Sequence, residues 1–145
     1  MNWINTFGLI IVALMLIPNI VYACQNKHIE NKCTNKVLNI LEQIGRYGSM
    51  ILMVFNIGIA EFGCWSENGF AIWLISISTL ILLYWIVWFV YFKMPKKTSA
   101  MLLAIIPSAI FVLSGILLGR WLLVIFGTVF SISHIAITHK NCVTL

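Results

Sequence analysis

A few polar or ionisable side chains stand alone inside long apolar stretches of this 145-residue sequence. Such groups are costly to bury in a lipid bilayer, so each is a candidate for binding a ligand, carrying a proton or joining helices. Histidine also changes its charge near neutral pH. We therefore expect any chemistry of the chain to centre on these isolated groups, which are Asn19, Asn56, Glu61, Tyr84, Ser108 and His134.

The composition indicates an integral membrane protein. Hydrophobic residues make up 61% of the chain and charged residues only 9%, and the mean hydropathy is +1.01. These values lie far outside those of soluble globular domains. The formal charge of +5 does not indicate nucleic-acid binding, because the basic residues lie between apolar stretches, where they set topology. The lipid bilayer is thus the first expected partner.

Five stretches are predicted to span the membrane as helices, giving one all-α membrane domain over residues 1–145. The second is short and interrupted by polar residues. Residues 37–46 before it have the helical spacing of an interfacial amphipathic helix, and Gly45 and Gly48 would let the chain turn into the membrane. The last two form either a hairpin turning at 119–121, which we favour, or one bent helix. The predicted spans are about 3–23, 47–62, 70–92, 100–118 and 121–138.

The loops between these spans predict the orientation. All the lysines and Arg46 fall on one face of the predicted bundle, and only Arg120 falls on the other. Because basic loops stay in the cytoplasm, we expect the N-terminus outside the cell membrane and the C-terminus inside. Residues 21–24 are similar to a lipoprotein cleavage site, but no Lys or Arg precedes them within residues 1–26, which disfavours processing there.

Depth along the helices, at about 1.5 Å per residue, sorts the candidate residues into two groups. Glu61 and Arg120 fall at the outer surface and are predicted to form an ion pair. His134 falls in the cytoplasmic half, too far from Glu61 to share a proton with it. The predicted ligand or substrate cavity opens to the cytoplasm and is lined by Asn19, Arg46, Tyr84, Ser108 and His134.

Small and polar residues predict how the last two spans pack. Gly127, Ser131, His134 and Thr138 form one stripe, and Gly115-x-x-x-Gly119 with Ser108 forms another. Such stripes face other helices, so His134 has two readings: it holds helices together, or it binds a ligand or proton. Glu42 and Arg46, four residues apart, are either a surface pair or the cover of a cavity.

The sequence gives little support to an enzyme. It contains no phosphate-binding glycine loop, no metal-ligand cluster and no nucleophile-base pair, so we predict no catalytic residue and no metal ligand, and the cofactor stays undetermined. The four cysteines are Cys24, Cys33, Cys64 and Cys142, without a C-x-x-C pair. Only Cys64 is expected outside, which disfavours disulfide-forming redox chemistry.

Three segments carry a resemblance: Ile17-Pro18-Asn19, residues 41–48, and residues 121–127 with His134. They resemble uncharacterised small multipass membrane proteins of low-GC Gram-positive bacteria, a resemblance that covers most of the chain and implies no activity. In topology alone the chain is also similar to tryptophan-rich sensory, translocator-like proteins, which bind porphyrins and steroids. The Trp- and Pro-containing motifs of that family are not evident, so the similarity implies a shape and no ligand site.

Three functions follow as hypotheses. The first is binding or transport of a small molecule through the cytoplasm-facing cavity, with transport requiring a homo-oligomer because five packed helices leave little lumen. The second is an accessory or regulatory subunit whose polar stripe binds another membrane protein. The third, a membrane-embedded enzyme or redox protein, has the least support.

Overall fold

The computed structural model describes residues 3–25, 34–58 and 67–143, and within them the chain is built from helices. An isolated antiparallel β-bridge joins Ile4 to Phe55. The helices are α1 (Thr6–Gln25), α2 (Lys36–Val54), α3 (Gly69–Lys93), α4 (Lys97–Leu117) and α5 (Trp121–Val143).

Four of these helices, α1, α3, α4 and α5, are long and apolar enough to cross a membrane. A helix suits such apolar stretches in lipid, because it satisfies the backbone polar groups within the segment itself. The second helix, α2, is not among the four. It carries Glu42 and Arg46 near its middle, and these charges lower its hydropathy.

The helices form a ring in the order α1, α2, α5, α4, α3, in which each packs against its two neighbours. Backbone hydrogen bonds fix the register of α1 against α2. Asn5 N–H donates to Val54 O at 2.7 Å, and Asn56 N–H donates to Trp3 O at 2.8 Å. The start of α1 thus lies beside the end of α2, so the two helices are antiparallel.

Helix α2 differs from the predicted arrangement. Residues 37–46 and the beginning of the predicted span 47–62 form one continuous helix, which ends at Val54. Gly45 and Gly48 do not mark a turn; both lie inside the helix. Residues 59–62 of the predicted span, with Glu61, lie outside the described residues.

The turn between α4 and α5 confirms the predicted hairpin. Gly119 has a φ of +65°, a left-handed conformation that glycine adopts without a Cβ clash. The N–H of Arg120 donates to Gly115 O at 2.8 Å and so closes the end of α4. Gly119 therefore serves the turn, whereas Gly115 serves packing, since a Cβ there would lie 2.8 Å from the backbone N of Val124.

Large side chains fill the centre of the ring. Trp73, Tyr84 and Phe111 are almost completely buried, together with Met53 and Ile77. The indole Nε1–H of Trp73 donates to Ser114 Oγ at 2.9 Å and joins α3 to α4. In the part of the chain that the structure describes, the centre of the bundle is therefore packed with large side chains.

Candidate polar site between the second and fifth helices

The polar face of α2 points into the protein. Glu42 and Ser49 are buried on the same side as Gly45, with the spacing of one helix face. The opposite side exposes large apolar residues, among them Ile40 at 58%, Ile44 at 50% and Ile51 at 52%. This arrangement is the reverse of a surface helix in water, where the apolar side faces the core.

Two glycines bring α2 close to α5. A Cβ on Gly45 would lie 2.6 Å from the backbone N of Phe130, closer than real side chains approach. A Cβ on Gly48 would meet the ring of Phe126. Small residues at these positions let the helix backbones touch, as is common between membrane helices. The polar face of α2 is thereby pressed against α5.

Three ionisable side chains meet at this contact. The Arg46 guanidinium donates to Glu42 Oε1 one turn away, and the two form an ion pair. From α5, His134 Nδ1 approaches the same carboxylate oxygen at 3.3 Å. The His134 ring also stacks on Phe130, with centroids 4.8 Å apart. Stacking on Phe130 and the approach to the Glu42 carboxylate therefore hold the imidazole in place.

The cluster lines an open cavity of about 280 Å³ between α2 and α5. Glu42 is the deepest of the three, with 6% of its side chain exposed, whereas Arg46 and His134 expose 34% and 23%. Amide and hydroxyl groups surround them. The lining residues are Asn39, Glu42, Gln43, Arg46, His134, Ile137, Thr138 and Asn141.

The structure brings some of the predicted cavity residues together and separates others. Arg46 and His134 share the cavity, joined through Glu42. Asn19 and Tyr84 form a second pair between α1 and α3, where Asn19 Nδ2 donates to Tyr84 Oη at 2.7 Å. Ser108 is buried in α4, and its hydroxyl donates to the carbonyl of Ala104 one turn earlier. These last three are not among the residues that line the cavity.

Arg120 has partners that sequence reasoning did not name. Its Nη1 donates to the carbonyl oxygen of Leu52 at 3.1 Å, and its Nη2 donates to Asn56 Oδ1. Leu52 lies in the last turn of α2, where carbonyls lack partners inside the helix, and Asn56 follows two residues after the end of α2. The predicted partner, Glu61, lies outside the described residues.

The polar stripe of α5 divides between two neighbours. Gly127 faces α4, since a Cβ there would lie 3.2 Å from the Cβ of Phe111 and 3.3 Å from Val112 N. His134, seven residues on, faces Glu42 of α2. The pattern of small residues predicts that the whole stripe packs on α4, and it gives His134 no acidic partner. The four-residue spacing of Glu42 and Arg46, and their position at about the depth of His134, were the sequence features from which this contact could have been predicted.

This donor set suits hydrogen bonding and charge pairing better than metal binding. Within the described ranges, no three His, Cys, Asp or Glu side chains gather as a metal site would require. A carboxylate beside an imidazole can hold a proton, and a guanidinium with exposed N–H groups can bind an anion. The cluster therefore offers both a proton site and an anion site in one cavity.

The chain matches no known protein family, no curated protein and no solved structure. Function must therefore be inferred from the geometry of the site.

Proposed function

We propose that this protein is a multipass membrane protein that binds a small polar molecule in the cavity between α2 and α5 and moves it or responds to it. The observation that carries the proposal is the Glu42, Arg46 and His134 cluster, which lines an open cavity between two helices of the bundle. Charged groups within a membrane bundle usually mark a substrate, ion or proton site.

The proposal includes five spans, with α2 as the second. This helix has 19 residues, or about 28 Å at 1.5 Å per residue, against about 30 Å of hydrocarbon. Its exposed side is apolar, which suits lipid, and its charges face protein. The bridge between Ile4 and Phe55 supports the same view, because α2 then runs the full length of α1.

The proposed orientation opens the cavity to the cytoplasm. Lys36 begins α2, Lys97 begins α4, and Lys140 lies in the last turn of α5, so these basic residues mark one end of the bundle. Arg120 marks the other end. The positive-inside rule then places the end that holds the cavity in the cytoplasm, with the N-terminus outside.

Labelling with a membrane-impermeant maleimide tests the orientation. In intact cells, Cys64 should react and Cys33 should be protected, in variants that each keep only that cysteine. After the membrane is permeabilised, Cys33 should react as well. Labelling of Cys33 before permeabilisation would overturn the proposed orientation and with it the cytoplasmic opening.

Thermal unfolding of the purified protein tests binding. A library of small polar metabolites should contain at least one compound that stabilises the wild-type protein, because ligands that bind only the folded state raise its stability. The stabilisation should disappear in Arg46→Ala, which loses a cavity donor, and persist in Lys140→Ala, an exposed residue that does not line the cavity.

The alternative is an accessory subunit that uses α2 or α5 to bind another membrane protein. If no compound stabilises the wild-type protein, and the protein purifies with one fixed membrane partner, the ligand-binding proposal should be abandoned for that alternative.

A further inference from the structure

The charges in the cavity suggest which kind of molecule it takes. When His134 is neutral, the negative charge of Glu42 and the positive charge of Arg46 cancel, and the cluster carries no net charge. When His134 gains a proton, one positive charge has no partner inside the cavity. Uncompensated charge is costly in a low-dielectric site, so this state favours the entry of one negative charge.

Among the residues that the structure describes around α5, no other ionisable group supplies that negative charge. Two helices pack closely on α5, namely α2 and α4. From α2 the facing groups are Glu42 and Arg46. Beyond Lys97 at its first position, α4 has no ionisable side chain. On α5 itself, His139 and Lys140 are exposed and positive or neutral.

Donors for an anion are present. The Arg46 guanidinium has five N–H groups, and the bond to Glu42 Oε1 comes from Nη2. A third of the Arg46 side chain is exposed at the cavity, beside the amides of Asn39 and Gln43. A guanidinium flanked by amides is well suited to a carboxylate.

We propose that the cavity binds a small monovalent anion of the carboxylate type together with one proton, which His134 holds. The proton comes from water and adds to the free ring nitrogen of His134, while the other nitrogen stays directed at Glu42. On release of the anion, the proton returns to water. This inference rests on the proposed binding function and specifies its substrate class and its coupling to pH.

Lactate and its neutral amide, lactamide, are the probes. Their affinities for the purified protein are measured by calorimetry between about pH 8 and about pH 6, where histidine changes charge. Lactate should bind more tightly as the pH is lowered through this range, by up to about tenfold per pH unit at its upper end, because up to one proton is taken up with each anion. Lactamide should show no such change.

Three variants separate the proposed charges. Glu42→Gln leaves Arg46 uncompensated, so it should bind lactate at the higher pH nearly as well as the wild-type protein does at the lower pH. His134→Gln cannot gain the proton and should bind lactate weakly at every pH. Lys140→Gln, which also removes a positive charge but from an exposed position, should behave like the wild-type protein.

The inference is overturned if wild-type protein binds lactate equally at all pH values, binds lactamide as tightly, or binds neither. The wild-type measurement gives this answer even if a variant does not fold. In the library experiment, a neutral compound that depends on Arg46 would preserve the binding function while the anion inference fails. If no compound binds there either, both fail together.

Discussion

Arg46, which belongs to α2, and Arg120, which contacts the last turn of α2, play different structural roles. Near the proposed cytoplasmic end, Arg46 pairs with a carboxylate and lines an open cavity. At the other end, Arg120 donates to two neutral oxygens, the Leu52 carbonyl and the Asn56 amide. The first arrangement keeps a charged group accessible to a ligand. The second uses the charge to satisfy the last turn of a helix.

Substitutions should destabilise the protein to different degrees in the two regions. In the inner region, charges compensate one another, so removing one member leaves another unpaired in a buried setting. In the outer region, around Arg120, removing the arginine takes a donor away from the Leu52 carbonyl and the Asn56 amide oxygen, and neutral groups of this kind are less costly to leave unsatisfied than charges. We therefore expect the inner cluster to be more sensitive to substitution, although it is the more open of the two.

The largest expected effect is that of Glu42→Leu. This change leaves Arg46, which is one-third exposed at the cavity, without its carboxylate. We therefore expect a loss of about 3 kcal/mol, the lower end of the range for a buried ion pair that loses one member. Replacing both residues, as in Glu42→Leu with Arg46→Leu, should recover part of that loss. The measurement is reversible unfolding in mixed detergent and SDS micelles. A double variant as unstable as the sum of the two single variants would show that the pair is not coupled.

The next effect tests the close approach of α2 to α5 that forms the inner site. Gly45→Ala places a Cβ against the backbone of Phe130, which cannot move aside, so we expect a loss of about 1–3 kcal/mol in the free energy of unfolding. Gly48→Ala is the matched control. Its Cβ meets the Phe126 ring, which can rotate, and both variants gain the same helix propensity. Equal stability of the two variants would contradict the proposed backbone contact.

Much of the fold followed from the sequence because the bilayer dictates it. The apolar stretches around 3–23, 70–92, 100–118 and 121–138 correspond to α1, α3, α4 and α5, and the hairpin turn lies at Gly119 as predicted. Length and hydropathy determine such helices almost alone. Extra residues at the helix ends, such as 139–141, are polar and so carry no hydropathy signal.

The second helix could not be predicted in the same way. Its hydropathy falls at Glu42 and Arg46, which indicated an interfacial helix followed by a separate span. That interpretation assumed that polar residues face water. In the structure they face α5, and the glycines that resembled a turn are contact points between helices. Only tertiary packing distinguishes a helix whose polar residues face water from one whose polar residues face a neighbouring helix.

The site could be predicted only in part, because its contacts also depend on how the helices pack. Arg46 and His134 were expected to line one cavity, and both line the cavity between α2 and α5; that this cavity faces the cytoplasm stays a prediction. Their shared partner Glu42 was not connected to His134, because the connection joins residues 92 positions apart in the chain and depends on how α5 is rotated. Asn19 and Tyr84 satisfy each other instead, which depth alone does not reveal.

At the outer end, Arg120→Ala should lower the free energy of unfolding by about 1–3 kcal/mol, because the Leu52 carbonyl and the Asn56 amide lose a charged donor. Binding at the inner cavity should stay unchanged, since Arg120 lies at the other end of α2. The same unfolding and calorimetric measurements apply. A weaker affinity for ligand in a stably folded Arg120→Ala protein would show that the two ends of α2 are coupled. It would contradict a purely structural role for Arg120.

The smallest effect is expected for Ser108→Ala. The Ser108 hydroxyl bonds to Ala104 O within its own helix, so its loss leaves a carbonyl that the helix backbone can still satisfy. We expect the free energy of unfolding to change by less than about 0.5 kcal/mol and ligand affinity to remain that of the wild-type protein. Thr138→Ala is the contrasting variant, because Thr138 lines the cavity on the face of α5 that carries His134. If Ser108→Ala weakens binding and Thr138→Ala does not, the ligand lies nearer α4 than the cavity between α2 and α5.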